Sequence, residues 1–506
     1  MNRFFSRAHT QEQQDAFFRE KTASMNSVLG TETFDTSVAV NAEKIRALFK
    51  DVDSLVVREL KNPATGLDVV LCFCECVVEK FLINESLIKP LLSADFHAAK
   101  PSLSEYLQQS VLTINDIYET DQLPAVIESL TTGDTILFAQ GSDKAVIVNT
   151  KGFVTRAIVE PESEKIVSGP HDGFNESLVQ SLSLLRRRIR SNRLKMKYRT
   201  VGRMTNTKIC ICYIEGVVEP AMLDELYKRL DRIHPDSLMD SYYIQEQLKD
   251  RVLTPFQTIG SSERPDVVAS RILEGKIALF VDGSPMVLTM PFYFIENFHN
   301  CGDYYINLFM ASFTRLLRMI GVTISVLIPG LYIAIVAFQH EVLPTPLLIN
   351  ITAERSNVPL PAGLEIIVML FMFDILLESG VRMPNSIGQT LSIVGALVIG
   401  QAAVQAKLIA APMIIIISLT GITALLVPKM YASVVFMRTW VLLLSITFGT
   451  FGFILASMVV IIHILNLKTL GIPYANASGV FSKRRLRDMI IRAPISTLKQ
   501  TDADCK

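Results

Sequence analysis

Residues Pro384 to Lys429 read PNSIGQTLSIVGALVIGQAAVQAKLIAAPMIIIISLTGITALLVPK, and this stretch decides the class of fold. It is apolar enough to lie in lipid, yet it contains many small residues, three glutamines and two lysines, Lys407 within the apolar run and Lys429 at its end. Small residues let helices approach closely inside a bilayer, and polar side chains there need partners because lipid offers no hydrogen bonds. We therefore predict a membrane-embedded assembly surface. The residues expected to make its packing and polar contacts are Gly388, Gln389, Gly395, Gly400, Gln401 and Gln405.

Gln401 and Gln405 lie one helical turn apart. Two roles are open to them, namely hydrogen bonds between helices or polar contacts along a pore. We favour hydrogen bonds between helices. Gly388, Gly395 and Gly400 are expected to be packing contacts and not hinges.

The composition divides the chain in two. Of 506 residues, 50% are hydrophobic, and the long apolar runs follow Pro291. The chain begins without a secretory signal pattern, and a basic run, SKRRLRDMIIR, follows the last apolar run. Because basic residues favour the cytoplasmic side, both ends are expected there. A formal net charge of zero gives no sign of a nucleic-acid partner, and we expect none.

The first half contains a duplication. AVIESLTTGDTILFAQGSDKAVIV, which begins at Ala125, matches VVASRILEGKIALFVDGSPMVLTM, which begins at Val267, at a constant offset. Each copy is typical of a helix, a glycine stop, a strand, a tight turn and a second strand. Repeats of this size indicate two related α/β lobes.

The predicted fold is thus an α/β soluble N-terminal region of two related lobes, followed by an all-α polytopic membrane domain. The expected boundaries are a polar extension at 1–49, lobe 1 at 50–155, a linker helix region at 156–194, lobe 2 at 195–290, a membrane domain with about four to five membrane helices at 291–467, and a basic cytoplasmic tail at 468–506.

Five cysteines alternate along two strand-like runs, LCFCECVV and ICICYI. Alternation places each group on one face of a strand, where buried packing is favoured over a metal site. The sequence lacks a GxxxxGK[ST] phosphate loop and a convincing nucleophile and base pair. We expect no metal, no cofactor and no enzymatic activity. Two lobes invite a ligand cleft, with Glu160–Phe174 and Ser261–Ser270 as candidate loops.

An acidic apolar helix is predicted from Leu364 to Arg382. Asp374, Glu378 and Arg382 recur at four-residue steps and therefore share one face. One interpretation is a ladder of salt bridges within or between helices. The other is a conduit, since rings of carboxylates in a ring of identical subunits lower the energy of cations in a pore.

Three positions are candidates for backbone movement. Pro329 and Gly330 lie near the middle of the first predicted span, MIGVTISVLIPGLYIAIVAFQ, where they permit a kink. Gly380 lies near the end of the acidic helix. We expect gating to use these sites.

The chain resembles the A subunits of the GerA-type spore germinant receptors over residues 50–495. The motifs that carry the resemblance are EPESEKIVSGPHDGF, ERPDVVASRILEGKIALFVDGSPMVL, LPTPLLINITAERSNVPLPAG, ESGVRMPNSIGQT, VGALVIGQAAVQAKL and IPYANASG. The resemblance implies a non-enzymatic subunit in the inner membrane of the bacterial spore, with its N-terminal region in the cytoplasm. It also implies a transporter-like B subunit and a lipoprotein C subunit as partners, and a homo-oligomer, proposed for this family to be a pentamer, that passes monovalent cations.

Three rivals stay open. A related group of spore membrane proteins shares much of the pattern and would amplify germination. A membrane-tethered ligand-binding module would use its helices only as an anchor, but an anchor needs no acidic or glutamine-bearing helices. A secondary transporter would usually show repeats in its membrane half, whereas the repeat here is in the soluble half.

Overall fold

The computed structural model describes residues 34–94, 117–152, 168–233, 235–356, 358–382 and 400–475, together with positions 114, 161, 164, 166, 398, 491, 492 and 494. Within these ranges the chain forms two α/β lobes followed by a helical region.

Lobe 1 is a five-stranded antiparallel sheet with the strand order β1-β2-β4-β5-β3. Buried apolar runs form β2, β4 and β5, as expected for strands covered on both faces. Its elements are α1 (Val38–Leu48), β1 (Leu55–Lys61), β2 (Asp68–Cys74), a three-part helix α2 (Lys80–Ile83, Asn84–Ile88 and Lys89–Ser93), β3 (Ile117–Thr120), α3 (Leu123–Thr132), β4 (Thr135–Ala139) and β5 (Ala145–Val148).

Lobe 2 repeats this topology, with the strand order β6-β7-β9-β10-β8. Its elements, after the connecting helix α4 (Leu178–Arg188), are β6 (Leu194–Val201), β7 (Thr207–Ile214), α5 (Pro220–Leu230), α6 (Ser241–Leu248), β8 (Gly260–Ser262), α7 (Pro265–Leu273), β9 (Ile277–Val281) and β10 (Val287–Met290). The predicted fold of two related α/β lobes is therefore confirmed.

The duplicated glycines show why the two copies match. Gly133 and Gly275 each end a helix with a positive φ, of 101° and 88°. A Cβ atom at Gly133 would lie 2.7 Å from the carbonyl oxygen of Val77, and one at Gly275 would lie 2.9 Å from that of Val217. Both positions therefore require glycine, because the conformation and the close backbone exclude a side chain.

The two sheets share one apolar core. Cys72, Cys74 and Cys76 of lobe 1 and Cys210 and Cys212 of lobe 2 are all buried in it, which confirms the prediction of buried packing residues. Burial raises the pKa of the Cys72 and Cys74 thiols to about 12. The lobes thus meet through a continuous core and not across an open cleft.

Lobe 1 begins before residue 50. Helix α1 buries Val38, Ala42 and Ile45, and the ring of Phe34 packs 5.2 Å from that of Phe138. Residues 34–49, which the sequence assigned to a polar extension, therefore contribute to the core. The apolar positions recur at helical spacing, but the polar residues between them obscured the pattern.

The helical region follows two short 3₁₀ turns, Phe294–Phe298 and Cys301–Tyr304. Two of its described helices, Leu308–Phe338 and Pro428–Asn466, are long and apolar enough to cross a membrane by length and composition. The prediction of four to five membrane helices stays a prediction. The elements are α8 (Leu308–Ile333, continued by Ala334–Phe338), α9 (Thr345–Arg355), α10 (Ala362–Arg382), α11 (Ala411–Ala424), α12 (Tyr431–Asn466) and a final hairpin of β11 (Lys468–Thr469) and β12 (Ile472–Pro473).

Helix α12 is a helical hairpin that reverses at Gly449. This residue has φ 60° and ψ −138°, and a Cβ atom built on Gly452 would lie only 1.9 Å from the carbonyl oxygen of Leu444. In a straight helix, residues eight apart are about 12 Å apart along the axis. The segments on either side of Gly449 are therefore antiparallel limbs, each about 26 Å long.

Both ends of α12 contact lobe 2. Ser433 donates a hydrogen bond to the carbonyl of Pro255, and His463 Nε2 lies 3.1 Å from Thr254 Oγ1. We call this side of the helical region the near end. The opposite side, where Phe338 packs against Gly449, is the far end.

The C-terminal hairpin also packs on the lobes. Phe292 N donates to Thr469 Oγ1 at 3.3 Å, and Tyr474 is fully buried with its hydroxyl accepting from Asn297 at 2.9 Å. Residues 468–475 thus belong to the near end, although the sequence assigned them to a basic tail. Short apolar segments such as this one carry too little pattern to be assigned from sequence.

Candidate functional site

Helix α10 runs from the far end to the near end. At its start, a Cβ atom on Gly363 would lie 2.9 Å from the side chain of Ile446, beside the reversal of α12. One face of α10 is buried through Ile366 and Leu370. The helix is thus tied to the bundle along one side only.

The opposite face of α10 is an exposed stripe. Its apolar side chains are 42 to 65% exposed, and Glu378 continues the same spacing at the near end. The stripe consists of Leu364, Val368, Phe371, Ile375 and Glu378. Its alternating steps of four and three residues form the seam along which helices of separate chains pack.

Asp374 forms an ion pair with α12. Arg438 Nη2 donates to both of its carboxylate oxygens, at 3.0 and 2.8 Å, and the hydroxyl of Tyr431 donates to Oδ1 at 2.8 Å. Arg438 is 1% exposed. We call these three residues the Asp374 cluster.

The Asp374 cluster decides between the salt-bridge and the conduit interpretation of the acidic helix, but only for Asp374. Asp374 forms a salt bridge between helices, so in this conformation its charge is compensated. Glu378 lies one turn further along α10 and is exposed. Arg382 is the last residue of α10, and its side chain lies outside the described part. Their roles as pore-lining residues stay predictions.

The predicted assembly surface is described only in part. Gly388, Gln389 and Gly395 lie outside the described residues. Gln401 and Gln405 lie on a helical segment, residues 400–405, and both side chains are exposed. Nothing lies within 4 Å of a Cβ atom built on Gly400. Packing at Gly400 would therefore need a partner outside the described residues.

The three hinge candidates are helical in this conformation. Pro329 and Gly330 are buried in α8, and a Cβ atom on Gly330 would lie 2.8 Å from both Ser445 Oγ and Val441 Cγ1. Gly330 thus lets α8 approach α12 closely, and its use as a hinge stays a prediction. Gly380 lies in the last turn of α10.

Glu365 ties α10 to α11 at the far end. It is fully buried, and its Oε1 accepts a hydrogen bond from the backbone of Ala410 at 2.6 Å. Ala410 directly precedes α11. A carboxylate at a helix N-terminus is favourable there, and the contact fixes where α11 begins.

The two loops predicted as ligand-binding candidates meet at the near end. Phe174 N donates to the carbonyl of Glu263 at 2.7 Å, and the buried Arg264 donates to the carbonyl of Pro170 at 2.8 Å and to Asp266 at 2.9 Å. Asp266 also accepts from the hydroxyl of Tyr305 at 2.7 Å. The loops thus form part of the junction with the helical region.

Glu164 joins these loops to the membrane-capable helices. Its carboxylate, 7% exposed, forms an ion pair with Lys429, just before α12, and accepts a hydrogen bond from Ser262. Burial opposes the charged form, but Lys429 and Ser262 outweigh it and hold the pKa of Glu164 below its ordinary value of 4.5. The pair links lobe 2 to the start of α12.

A second polar contact holds the start of α8. Asp303, 1% exposed, accepts from Arg315 Nε at 3.1 Å and from Arg318 at 2.8 Å. Burial opposes ionisation of Asp303, but the hydrogen bonds from Arg318, Asn300 and Arg315 lower its pKa below 3.8. The near end of α8 is therefore fixed by charge as well as by packing.

The Glu164 contact gives a pH-dependent prediction. A carboxylate with a lowered pKa stabilises the fold above its ordinary pKa, and this stabilisation is lost as the pH falls through the lowered value. Glu164→Gln is expected to lower the free energy of unfolding at pH 7 by about 1 kcal/mol, since Lys429 is partly exposed. The measurement is thermal unfolding of the purified full chain from pH 7 to pH 3.

Wild type and Glu164→Gln should converge at the acid end of this series. Glu85→Gln removes an exposed ion pair of lobe 1 with Lys89 and serves as the control, with a smaller change expected. A difference for Glu164→Gln that stays constant across the pH series would contradict an ionic role for Glu164.

These features define a protein in which paired α/β lobes are joined by charged contacts to apolar helices, two of them long and apolar enough to cross a membrane. The profile of the family described as Bacillus/Clostridium GerA spore germination protein matches residues 43–503. The chain therefore belongs to the GerA family of spore germination proteins.

Several relatives match over most of their length. The chain is 34% identical to "Uncharacterized membrane protein YfkQ" of Bacillus subtilis (strain 168), covering 90% of this chain and 89% of that protein. It is 35% identical to "Spore germination protein KA" of the same organism, covering 90% and 85%. The crystal structure of the N-terminal domain of the A subunit of the Bacillus megaterium spore germinant receptor GerK3 is 27% identical and covers 51% of this chain and 96% of that chain, with a TM-score of 0.42.

Proposed function

We propose that this protein is the non-enzymatic A subunit of a nutrient germinant receptor. It assembles with copies of itself, as a pentamer, into a ligand-gated channel for monovalent cations in the inner membrane of the spore. A transporter-like B subunit and a lipoprotein C subunit complete the receptor, and the lobes face the cytoplasm. Membership of the GerA family supports the receptor role.

The exposed stripe of α10 is the observation that carries the channel proposal. Leu364, Val368, Phe371 and Ile375 form an apolar seam that no other described part of the chain covers. Around a shared axis, this seam becomes a hydrophobic constriction, which gates ion flow by excluding water. Glu378 then forms a ring of carboxylates at the near end of the constriction, where it attracts cations.

The Asp374 cluster holds α10 in the closed arrangement. It ties the near half of α10 to the first limb of α12, and Lys429, just before that limb, is tied to lobe 2. A movement of the lobes can therefore reach α10 through contiguous contacts. Gating requires a second arrangement within a few kcal/mol of this one, favoured by the nutrient-bound partners.

Phe371→Ser tests the constriction. A polar side chain in place of Phe371, the most exposed apolar residue of the stripe, is expected to let water into the constriction and give cation current without nutrient, in receptor reconstituted with its B and C subunits in planar bilayers. Glu378→Gln is expected to lower cation conductance severalfold while leaving nutrient activation in place. The measured quantities are the current before and after nutrient and the cation-to-anion permeability ratio.

Phe436→Ser is the matched control. Phe436 lies on the first limb of α12 and is 60% exposed, close to the 65% of Phe371. It should leave the closed channel silent. Equal leak from both variants would mean that the stripe of α10 does not line the conduit.

A ligand-binding role for the lobes has one observation in its favour. A cavity of about 340 Å³ in lobe 2 is lined by Asp240, Lys249 and Phe256, among others, and Phe256 also contacts His463 of α12. A tethered ligand-binding module, or a related spore membrane protein that amplifies germination, would use the same cavity. Nutrient-gated current from the reconstituted receptor separates these roles from the proposed one.

A further inference from the structure

A second cavity lies at the far end of the helical region. It has a volume of about 820 Å³ and is enclosed by the end of α8, by α9 and by the start of α10. We call it the far-end cavity. A volume of this size accommodates a drug-sized molecule or part of a lipid.

The walls of the far-end cavity are mostly apolar. Helix α9 presents Leu348, Ile351, Thr352 and Arg355 to it, and these positions recur at the spacing of one helical face. The side chains of Ile367 and Ile446 contribute the opposite wall. Hydrocarbon is therefore the chemistry that fills most of this volume.

The polar groups that line the cavity are basic or neutral. Arg355 and His340 are the titratable groups among its described lining residues, and none of those residues is acidic. Glu341 and Glu354 are neighbours in sequence but are not among its described lining residues. Glu365 is fully buried, and its carboxylate interacts electrostatically with Arg355. The guanidinium of Arg355 forms no ion pair or hydrogen bond with any residue that the structure describes. An anionic group beside Arg355 would complete the site.

The surroundings of α9 match the boundary of a bilayer. Leu347 and Ile349, on the faces of α9 turned away from the cavity, are 47% and 61% exposed. A short helix that is apolar outside and carries an arginine at its end is typical of the interfacial region. The long side chain of Arg355, near the boundary of the bilayer, places its charge among the lipid headgroups.

We infer that the far-end cavity binds an anionic phospholipid, with one acyl chain between α9 and α10 and the phosphate beside Arg355. The inference rests on the membrane placement in the proposed function. The lipid would hold α9 against the start of α10, the helix that carries the apolar stripe. Its occupancy therefore biases the arrangement of the conduit from the side of the membrane opposite to the lobes.

Lipid retention by the purified full chain tests the inference. The delipidated protein is mixed with phosphatidylglycerol or phosphatidylcholine in detergent, and bound lipid is counted by native mass spectrometry. We expect one phosphatidylglycerol per chain, with phosphatidylcholine retained about tenfold less well, because a charge-assisted contact is lost. Arg355→Gln should lower phosphatidylglycerol retention by about tenfold.

Two further variants distinguish the role of the Arg355 charge from the role of the cavity volume. Lys407→Gln removes an exposed cation that does not line the cavity and should leave retention unchanged. Thr352→Trp fills the cavity without removing a charge and should lower retention of both lipids. Thermal unfolding confirms that each variant is folded.

Several outcomes would overturn the inference. They are equal retention of both lipids with no effect of Arg355→Gln, displacement of the lipid by inorganic phosphate alone, and a dimer of the chain that forms through the cavity and excludes lipid. Lipid retention is measured on the purified chain without nutrient, whereas channel function is measured as current through the complete receptor. Failure of the lipid inference can therefore be told apart from failure of the proposed function.

Discussion

Gly449→Ala is expected to lower the free energy of unfolding of the full chain by about 2–6 kcal/mol. The backbone at Gly449 has φ 60° and ψ −138°, and a conformation of this kind costs a residue with a side chain about 1–3 kcal/mol. The added Cβ atom would also lie 2.6 Å from the ring of Phe338, and overpacking of a core costs a further ~1–3 kcal/mol. Chemical denaturation in detergent measures the change.

Gly400→Ala is the control for this substitution. Gly400 is helical, and a Cβ atom there meets nothing within 4 Å. Alanine should therefore stabilise the isolated chain slightly, by at most about 1 kcal/mol. If Gly449→Ala were as stable as Gly400→Ala, the reversal of α12 at Gly449 would have to be rejected.

The second large effect is expected at the Asp374 cluster. Arg438→Met should destabilise the chain by about 3–5 kcal/mol, because it leaves the Asp374 carboxylate between helices without its cation. Asp374→Leu should have a similar effect, since Arg438 is 1% exposed and its Nε and Nη1 atoms already have no hydrogen-bond partner within the described ranges. Both are measured by denaturation in detergent.

The double variant Asp374→Leu/Arg438→Met distinguishes an ion pair from two independent sites. With both charges replaced by apolar side chains of similar volume, stability should return to near that of the wild type. Additive losses in the double variant would show that the two side chains do not act as a pair. Arg188→Met removes an ion pair with Asp172 at 2.6 Å in the lobes and is the comparison for partly exposed charges. We expect it to lower the free energy of unfolding by about 1 kcal/mol.

The candidate site was partly predictable. Asp374 stood out because a carboxylate in an apolar helix needs a partner, and a salt bridge between helices was one of the two interpretations. Arg438 carried the same signal, as a single charge inside the apolar run that forms α12, but nothing in its local sequence indicates which residue it pairs with. The partner was missed because residues 374 and 438 are joined by packing and not by helical spacing.

The contacts between the lobes and the helical region were less predictable from the sequence. Glu164 and Lys429 are 265 residues apart, and each lies in a segment that looks like an ordinary loop or helix start. Asp303, Arg315 and Arg318 are close in sequence, but the 3₁₀ turns between lobe and helix give no periodic pattern. Contacts between segments far apart in the sequence leave no local pattern in it.

The reversal of α12 is another feature that the sequence concealed. An apolar run of this length without proline is typical of one continuous membrane helix. Glycines inside such a run more often mark close packing than a turn. The tertiary structure reveals that the chain folds back, through the contact between Gly452 and Leu444 and through the contacts of both ends of α12 with lobe 2.

By itself the sequence determined that this chain consists of two related α/β lobes followed by an apolar helical region, because periodicity, glycine stops and hydrophobic content are local properties of the chain. Only the tertiary structure decided that the lobes share one core, that Asp374 is paired with Arg438, and that α12 returns to the lobes. These features depend on which distant surfaces become neighbours, and that is set by side-chain packing over the whole molecule.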